Sequence, residues 1–521
     1  MCKVICRLLS IVIIMLCVGI LATQIVQCKH VAKKAHNAKW HEMSIEELGE
    51  RVLIISPHPD DEALACGGLI ALLSRRGVST KVLFVTLGEG FTIALKRELH
   101  TAFASAQERM RFAMLRADEA RRALRILGCN SVSFLGIPET AMGRIWFEPS
   151  WNGCLSSKNA LKTSLSCPLS EDLKPIPLCP DKIIDELKRL LIEFNPTSIF
   201  IPHGHDDHIV HWVTNVLSLT ALIELIREGK LSNSVGVYEY LVHFGRYPTP
   251  QGIFKRLPLL PPKMLYEEAK GEWLLLDLPT DVIELKAKAI ASYESQRSLT
   301  WRFMSSFIRS TEVFERADVT EHKERIVWIP DRKHEPVMPA VCPSADITSV
   351  MLRRDSNLFV VRIRTRSRPS EHFSYRLCML KLLDGIRQRM LISVSGDLKH
   401  MKCVGINSSV VSCERDENEI TFILLPKGLL PPSTLLITCE VIWHERVVDR
   451  TAPIIIATEP SNSKLTNVNK PHKPPSHKPN TPPRITVQLF NLATIMKAHS
   501  PSSSLSSLVG LSSSTHSKAQ P

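Results

Sequence analysis

Five short apolar runs alternate with longer helix-like segments through the first half of this chain, and few folds accommodate that order. The runs are Val52–Ser56, Lys81–Thr86, Ser131–Leu135, Ser198–Pro202 and Val235–Tyr240. The segments between them, near Ala63–Arg76, Gln107–Leu127, Asp181–Phe194 and Ile209–Arg227, read as helices, with Gly77 and Gly128 where helix C-caps fall. Strands that alternate with helices predict an α/β fold: a Rossmann-like, mostly parallel sheet with helices on both faces. There is no GxGxxG after any of these strands, so no dinucleotide is assigned. Gly88-Glu89-Gly90 reads as a strand-to-loop turn on the same rim.

The first of these strands is followed at once by Pro57-His58-Pro59-Asp60-Asp61-Glu62. A histidine and three carboxylates therefore stand at the carboxyl end of a buried strand, the edge where open α/β sheets build their sites. Crowding three acids there gains little unless a cation offsets their repulsion. A second strand, Ile199-Phe200-Ile201-Pro202, ends in His203-Gly204-His205-Asp206-Asp207-His208. His58, Asp61 and His208 make a His/Asp/His set that suits zinc and leaves a position open for water, with Asp60 beside it as a base. The bland alternative keeps Asp61 as an N-cap, Glu62 as a complement to the helix dipole, and His205 and His208 as solvated loop residues. The two motifs together, each after its own strand, favour the metal reading.

In these motifs the chain resembles the PIG-L/LmbE-like family of zinc-dependent N-acetylglucosamine de-N-acetylases, over roughly residues 48 to 320. The family motifs (P/A)HPDDE and HxDH correspond to residues 57–62 and 205–208. Arg116-x-x-Glu119-Ala120 with Phe134-Leu135-Gly136, and Lys286 to Gln296 followed by Arg309-x-x-Glu312-x-Phe314, resemble further family blocks. The resemblance implies that His58, Asp61 and His208 hold Zn2+ and that Asp60 is the general base. It also implies that His205 is the acid or electrostatic partner, that Asp207 orients it, and that Arg116 helps hold the substrate. Where relatives often carry Asp after the Phe-Leu-Gly strand, this chain has Glu139, one methylene longer, as the substrate contact. The Ser-, Cys- and Pro-rich stretch from Ala141 to Pro180 reads as an insertion at the site rim.

At 521 residues the chain exceeds one ordinary domain. The organisation expected is an N-terminal membrane anchor or signal segment (1–35), a deacetylase domain (45–330), a β-sandwich-like domain (335–458) and a Pro/Lys/Ser-rich disordered tail (459–521). The run Leu8–Val26 is uncharged and about long enough to cross a bilayer, longer than the core of a usual cleaved signal. A slight excess of positive charge after it favours a single-pass anchor with the catalytic domain facing the cytoplasm. The net charge of +13 fits attraction to anionic headgroups, and nucleic acid is not expected because no recognition module accompanies it. Cys154, Cys167 and Cys179 cluster in the insertion, where a disulfide would form only on an oxidising side.

The function expected is removal of the N-acetyl group from an N-acetylglucosaminyl lipid or glycoconjugate by metal-activated water. A phosphoesterase-like metal hydrolase would need a second ion, for which no spare ligand set is visible. A glycan-binding or scaffold protein without turnover is the remaining alternative.

Overall fold

The computed structural model describes residues 40–147, 176–268, 271–319, 321–331, 341–354, 358–383, 385–404, 410–424 and 433–458, with scattered positions before residue 30. Strand β2 (Arg51–Ser56) shows why an uninterrupted apolar run was needed. Val52 and Ile54 enter one core, while Leu53 and Ile55 enter another on the opposite face of the sheet. Both faces are covered, so alternation would have buried polar groups without partners.

The sheet has eight strands in the order β1-β7-β8-β6-β5-β2-β3-β4. They span His41–Glu42 (β1), Ser79–Phe84 (β3), Ser131–Phe134 (β4), Ser198–Pro202 (β5), Gly236–Tyr240 (β6), Glu272–Asp277 (β7) and Thr311–Arg316 (β8), with β2 as above. The chain runs from β2 outward through β3 to β4, then returns to lay β5 beside β2 and continues through β6, all in parallel. The direction of winding reverses between β2 and β5, and a crevice opens at their carboxyl ends, where ligands bind in such sheets. The connecting helices are α1 (Asp61–Arg75), α2 (Ala106–Leu127), α3 (Glu139–Phe147), α4 (Pro180–Phe194), α5 (Ile209–Arg227) and, later, α6 (Thr280–Ala291). A capping box at Ser105 and Glu108 opens α2, and Gly128, in the left-handed region at φ +83°, closes it.

Strands β7 and β8 were not expected. Strand β8 reads as polar because it carries Glu312 and Glu315, yet Glu312 is buried. It accepts from Lys286 Nζ (2.7 Å) and from the N–H groups of Gly68 (2.6 Å) and Leu69 (2.8 Å) in α1. A charge whose partners come from two other helices cannot be recognised as interior by its own strand.

Beyond β8 the structure is antiparallel β. One sheet runs β15-β16-β11-β10-β9 and the other β14-β13-β12-β17-β18, with β19 on β17. Their spans are Ile326–Pro330 (β9), Ile347–Arg354 (β10), Phe359–Thr365 (β11), Ser374–Leu383 (β12), Ile386–Ser395 (β13), Met401–Val404 (β14), Val410–Asp416 (β15), Glu419–Leu424 (β16), Thr434–Trp443 (β17), Arg446–Arg450 (β18) and Ile454–Ala457 (β19). Leu377 and Met379 of β12 point into the core between the two sheets. Their neighbours Cys378, Leu380 and Leu382 join the core formed by α4, α5 and the parallel sheet. The two regions expected as separate domains thus contribute jointly to one apolar cluster, beside a core of each one's own, within a single compact unit.

Among the described residues one helix, Ile209–Arg227, is long and apolar enough to cross a membrane, but 89% of its apolar window is buried inside the protein. It is α5, apolar all round because protein covers every side. The expected anchor at Leu8–Val26 falls largely outside the described residues, as do Cys154, Cys167 and the tail from 459. Cys179 is disulfide-bonded.

Candidate active site

Strand β2 ends at Ser56, whose hydroxyl donates to the His58 carbonyl (2.8 Å), while Thr86, two residues past β3, donates to that of Pro57 (2.8 Å). These bonds fix the loop 57–60 before α1 begins. Asp60 holds φ +125°, a strained backbone for a residue with a Cβ, of the kind that persists where surrounding contacts over-determine it.

Three donor atoms converge beyond that loop. His58 Nδ1 lies 3.0 Å from Asp61 Oδ2 and 3.2 Å from His211 Nε2, and His211 Nε2 lies 3.0 Å from Asp61 Oδ2. A tetrahedral zinc with ligands at about 2.0–2.1 Å has ligand–ligand edges of about 3.3 Å, close to this triangle. His211 Nδ1 in turn faces Asp206 Oδ2 at 3.1 Å, the carboxylate–histidine arrangement that leaves Nε2 free to ligate. Burial opposes charge on Asp61, but the adjoining His211 and His58 hold its carboxyl well below the usual carboxylate range. His58 Nε2 and His208 Nδ1 are buried and find no hydrogen-bond partner among the described residues. The donor set fits a divalent cation of zinc's size and ligand preference.

His208 lies in the same cluster. Its ring is 4.9 Å from that of His58 and 5.2 Å from that of His211. Burial, reinforced by His58, His211 and His243, holds its pKa well below the usual imidazole value. His243 closes the far side, its ring 5.2 Å from His208 and 4.9 Å from His211.

Asp60, next to Asp61 in the chain, is partly buried. Burial raises its pKa well above the usual carboxylate range, with Asp61 and Glu62 adding to the rise and Arg116 opposing it. Arg116, expected to contact substrate, is itself buried. It donates to the carbonyls of Pro59 and Gly88 and, at 3.1 Å, to the Asp60 carboxylate. It therefore fixes the loop and the carboxylate in it. Glu139 accepts from the Gly90 N–H (2.8 Å) and stands 3.6 Å from His58 Nε2.

The two remaining expected residues are His205 and Asp207. His205 has its Nδ1 3.6 Å from Asp331 and lines a cavity of about 190 Å³ with Asp331, His322, Thr451 and Pro453, lined by none of His58, Asp61, His208 or His211. Asp207 accepts from the Gly245 N–H at 2.6 Å. The orienting carboxylate is Asp206, fully buried, which takes His211 Nδ1 and the N–H groups of His208 (2.9 Å), Val242 (3.1 Å) and His243 (3.0 Å). The reason is helical phase. His208 and His211 are one turn apart at the start of α5 and face the same side, whereas His205 precedes the helix. The H-x-x-H spacing at 205–208 recurs at 208–211, and that second copy, with Asp206 and His243, is what the sequence reading missed.

His203, Glu239 and Glu315 form another group of potential ligands. His203 Nδ1, however, accepts the His205 N–H at 2.9 Å, so Nε2 carries the proton and donates to Glu315 at 2.5 Å. No lone pair remains there for a metal.

The fold and the cluster describe an α/β protein with a His/Asp/His cluster that could hold a cation at its topological switch point. Residues 53–222 match the PIG-L family model, described as GlcNAc-PI de-N-acetylase. The chain is 30% identical over 169 residues to a 1D-myo-inositol 2-acetamido-2-deoxy-alpha-D-glucopyranoside deacetylase of Corynebacterium kroppenstedtii, covering 31% of this chain and 39% of that one. It is 32% identical over 173 residues to an enzyme of the same name, numbered 1, of Saccharopolyspora erythraea, covering 32% and 52%. The chain thus spans about half or less of these curated relatives. Among solved structures it overlays on N,N'-diacetylchitobiose deacetylase from Pyrococcus horikoshii with a TM-score of 0.32 and 18% identity, covering 51% of this chain and 82% of that one. A teicoplanin deacetylase in a zinc-inhibited form gives a TM-score of 0.33 and 16% identity, covering 52% and 100%.

Proposed function

We propose that this protein is a zinc-dependent hydrolase that removes the acetyl group from an N-acetylglucosaminyl substrate. The observation that carries the reading is the triangle of His58 Nδ1, Asp61 Oδ2 and His211 Nε2, with edges of 3.0–3.2 Å, beside a carboxylate that burial keeps basic. In this reading His58, Asp61 and His211 hold the ion, and His208 takes the role expected of His205. Zinc, when bound, lowers the pKa of a water from about 15.7 to about 7 and polarises the acetamide oxygen. Asp60, steadied by Arg116, accepts the water's proton, a role typically worth about 10² to 10⁴ in rate. His208, packed against the ligands, presents its ring to the developing oxyanion, where one good donor is worth about 3–4 kcal/mol. Glu139 on the rim is positioned for a sugar hydroxyl.

The relatives' names support a glucosaminyl-inositol type of substrate. A membrane-anchored enzyme acting on a glycolipid rests on the run Leu8–Val26 and the positive charge alone. The bonded Cys179 favours an oxidising side over the cytoplasmic orientation read from flanking charge.

The test is acetate release by the zinc-loaded, detergent-solubilised full chain from N-acetylglucosaminyl-inositol, its phosphatidylinositol counterpart and N,N'-diacetylchitobiose. Release from at least one of them is expected, with Asp60→Ala keeping its zinc but losing most turnover. Zinc-loaded protein that releases acetate from none of these, or an Asp60→Ala enzyme with near-normal turnover, would overturn the reading.

A further inference from the structure

The β-sandwich reaches the site through the end of β18. One guanidinium nitrogen of Arg450, Nη2, donates to the main-chain carbonyls of both Asp206 and Asp207, at 2.9 Å each. The same guanidinium lies 5.5 Å from the centre of the Trp212 ring. The next residue, Thr451, accepts from Trp212 Nε1 at 3.0 Å. Asp206 and Asp207 precede α5, so their carbonyls have no place in its hydrogen-bond ladder and require a donor from elsewhere. Between the two gripped points lie His208 and His211, and Asp206 itself orients His211. Asp449, the residue before Arg450, accepts the Ile347 N–H of the opposite sheet at 2.6 Å, which ties the gripping strand to the body of the sandwich.

From this we infer that the sandwich braces the ligand segment 206–212, and that Arg450 is a positioning residue for the metal site. This rests on the reading of His58, Asp61 and His211 as a cation site. A lysine at 450 would keep the charge but replace the planar guanidinium, whose N–H directions are fixed, with a rotating ammonium on a flexible stem.

Cobalt(II) titration followed by visible absorption tests it, on the full chain and on Arg450→Lys, Trp212→Phe and Arg387→Lys. Arg387 is a control because it also crosses from sandwich to catalytic half, but it holds Glu224 and Asp185, away from the ligands. Removing a group that orients a ligand typically costs about 10–100-fold in metal affinity. Arg450→Lys is expected to weaken cobalt binding by that factor, alter the absorption bands and speed amide exchange across 205–212. Trp212→Phe is expected to move the same way by less, and Arg387→Lys to match the wild type. Cobalt affinity and spectra of folded Arg450→Lys and Trp212→Phe indistinguishable from wild type would overturn the inference alone. So would an equal loss in Arg387→Lys, which would mark general docking. A wild-type chain that binds no cobalt would overturn the cation reading as well.

Discussion

Replacing His211 removes one of three donor atoms that lie 3.0–3.2 Å apart, so His211→Ala is expected to abolish tight zinc binding. His208→Ala should keep the metal and lose about 10²–10³ in kcat, as expected for one lost oxyanion donor. His205→Ala should keep both, since His205 belongs to the neighbouring cavity. Metal content and turnover measured on the same three preparations decide it, and zinc loss in His208→Ala with retention in His211→Ala would reverse the assignment. A pH effect follows from the same residue. In chelated protein, burial disfavours charge on His211, but Asp206 and Asp61 outweigh it and raise its pKa from 6.5 to about 10. A raised folded pKa contributes stability that is full below the unfolded value and is lost as pH rises through the folded one. The thermal midpoint of chelated protein should therefore fall between pH 6.5 and about 10. Zinc-loaded protein should lack this component, because the ligand is then neutral imidazole. Equal pH profiles with and without metal would contradict it.

The loop between β2 and α1 sets the geometry at the next scale. Its strain at Asp60, φ +125°, predicts that Asp60→Gly is more stable than Asp60→Ala by about 1–3 kcal/mol, since only glycine adopts that backbone without steric cost. Urea unfolding of the two variants measures the difference, and equal midpoints would show that the loop stores no such strain. Both variants should lose turnover alike, because neither carries the carboxylate. The parallel strands and their helices were legible because their signals are local: unbroken apolar runs, a capping box at Ser105 and glycines at helix ends. Strand β8 was not, because Glu312 is interior only by virtue of Lys286 and the N–H groups of α1. The register of the histidines was equally hidden. H-x-x-H occurs at both 205–208 and 208–211, and only the start of α5 at Ile209 decides which copy faces the crevice.

For the whole molecule, the shared core carries the main consequence. Cys378, Leu380, Leu382, Leu436 and Ile455 of the sandwich are buried with residues of α4, α5 and the parallel sheet. A chain ending near residue 335 would expose that surface, at about 25 cal/mol per Å² of apolar area, and is expected to aggregate or fail to fold. Size-exclusion chromatography of such a truncation tests this, and a monodisperse, cooperatively melting product would show that the catalytic half stands alone. The amino-acid sequence by itself determined the layered α/β class, the antiparallel region after it and the strand end that offers His58, Asp60 and Asp61. These follow from periodicity and from short motifs, which are properties of neighbouring residues. Only the tertiary structure brought His211 Nε2 against His58 and Asp61, set Asp206 rather than Asp207 against His211, paired Arg116 with Asp60, and aimed Arg450 at the carbonyls of Asp206 and Asp207. Each of those depends on the rotation of a helix or on a partner far away along the chain, and long-range geometry of that kind leaves no period in the sequence to read.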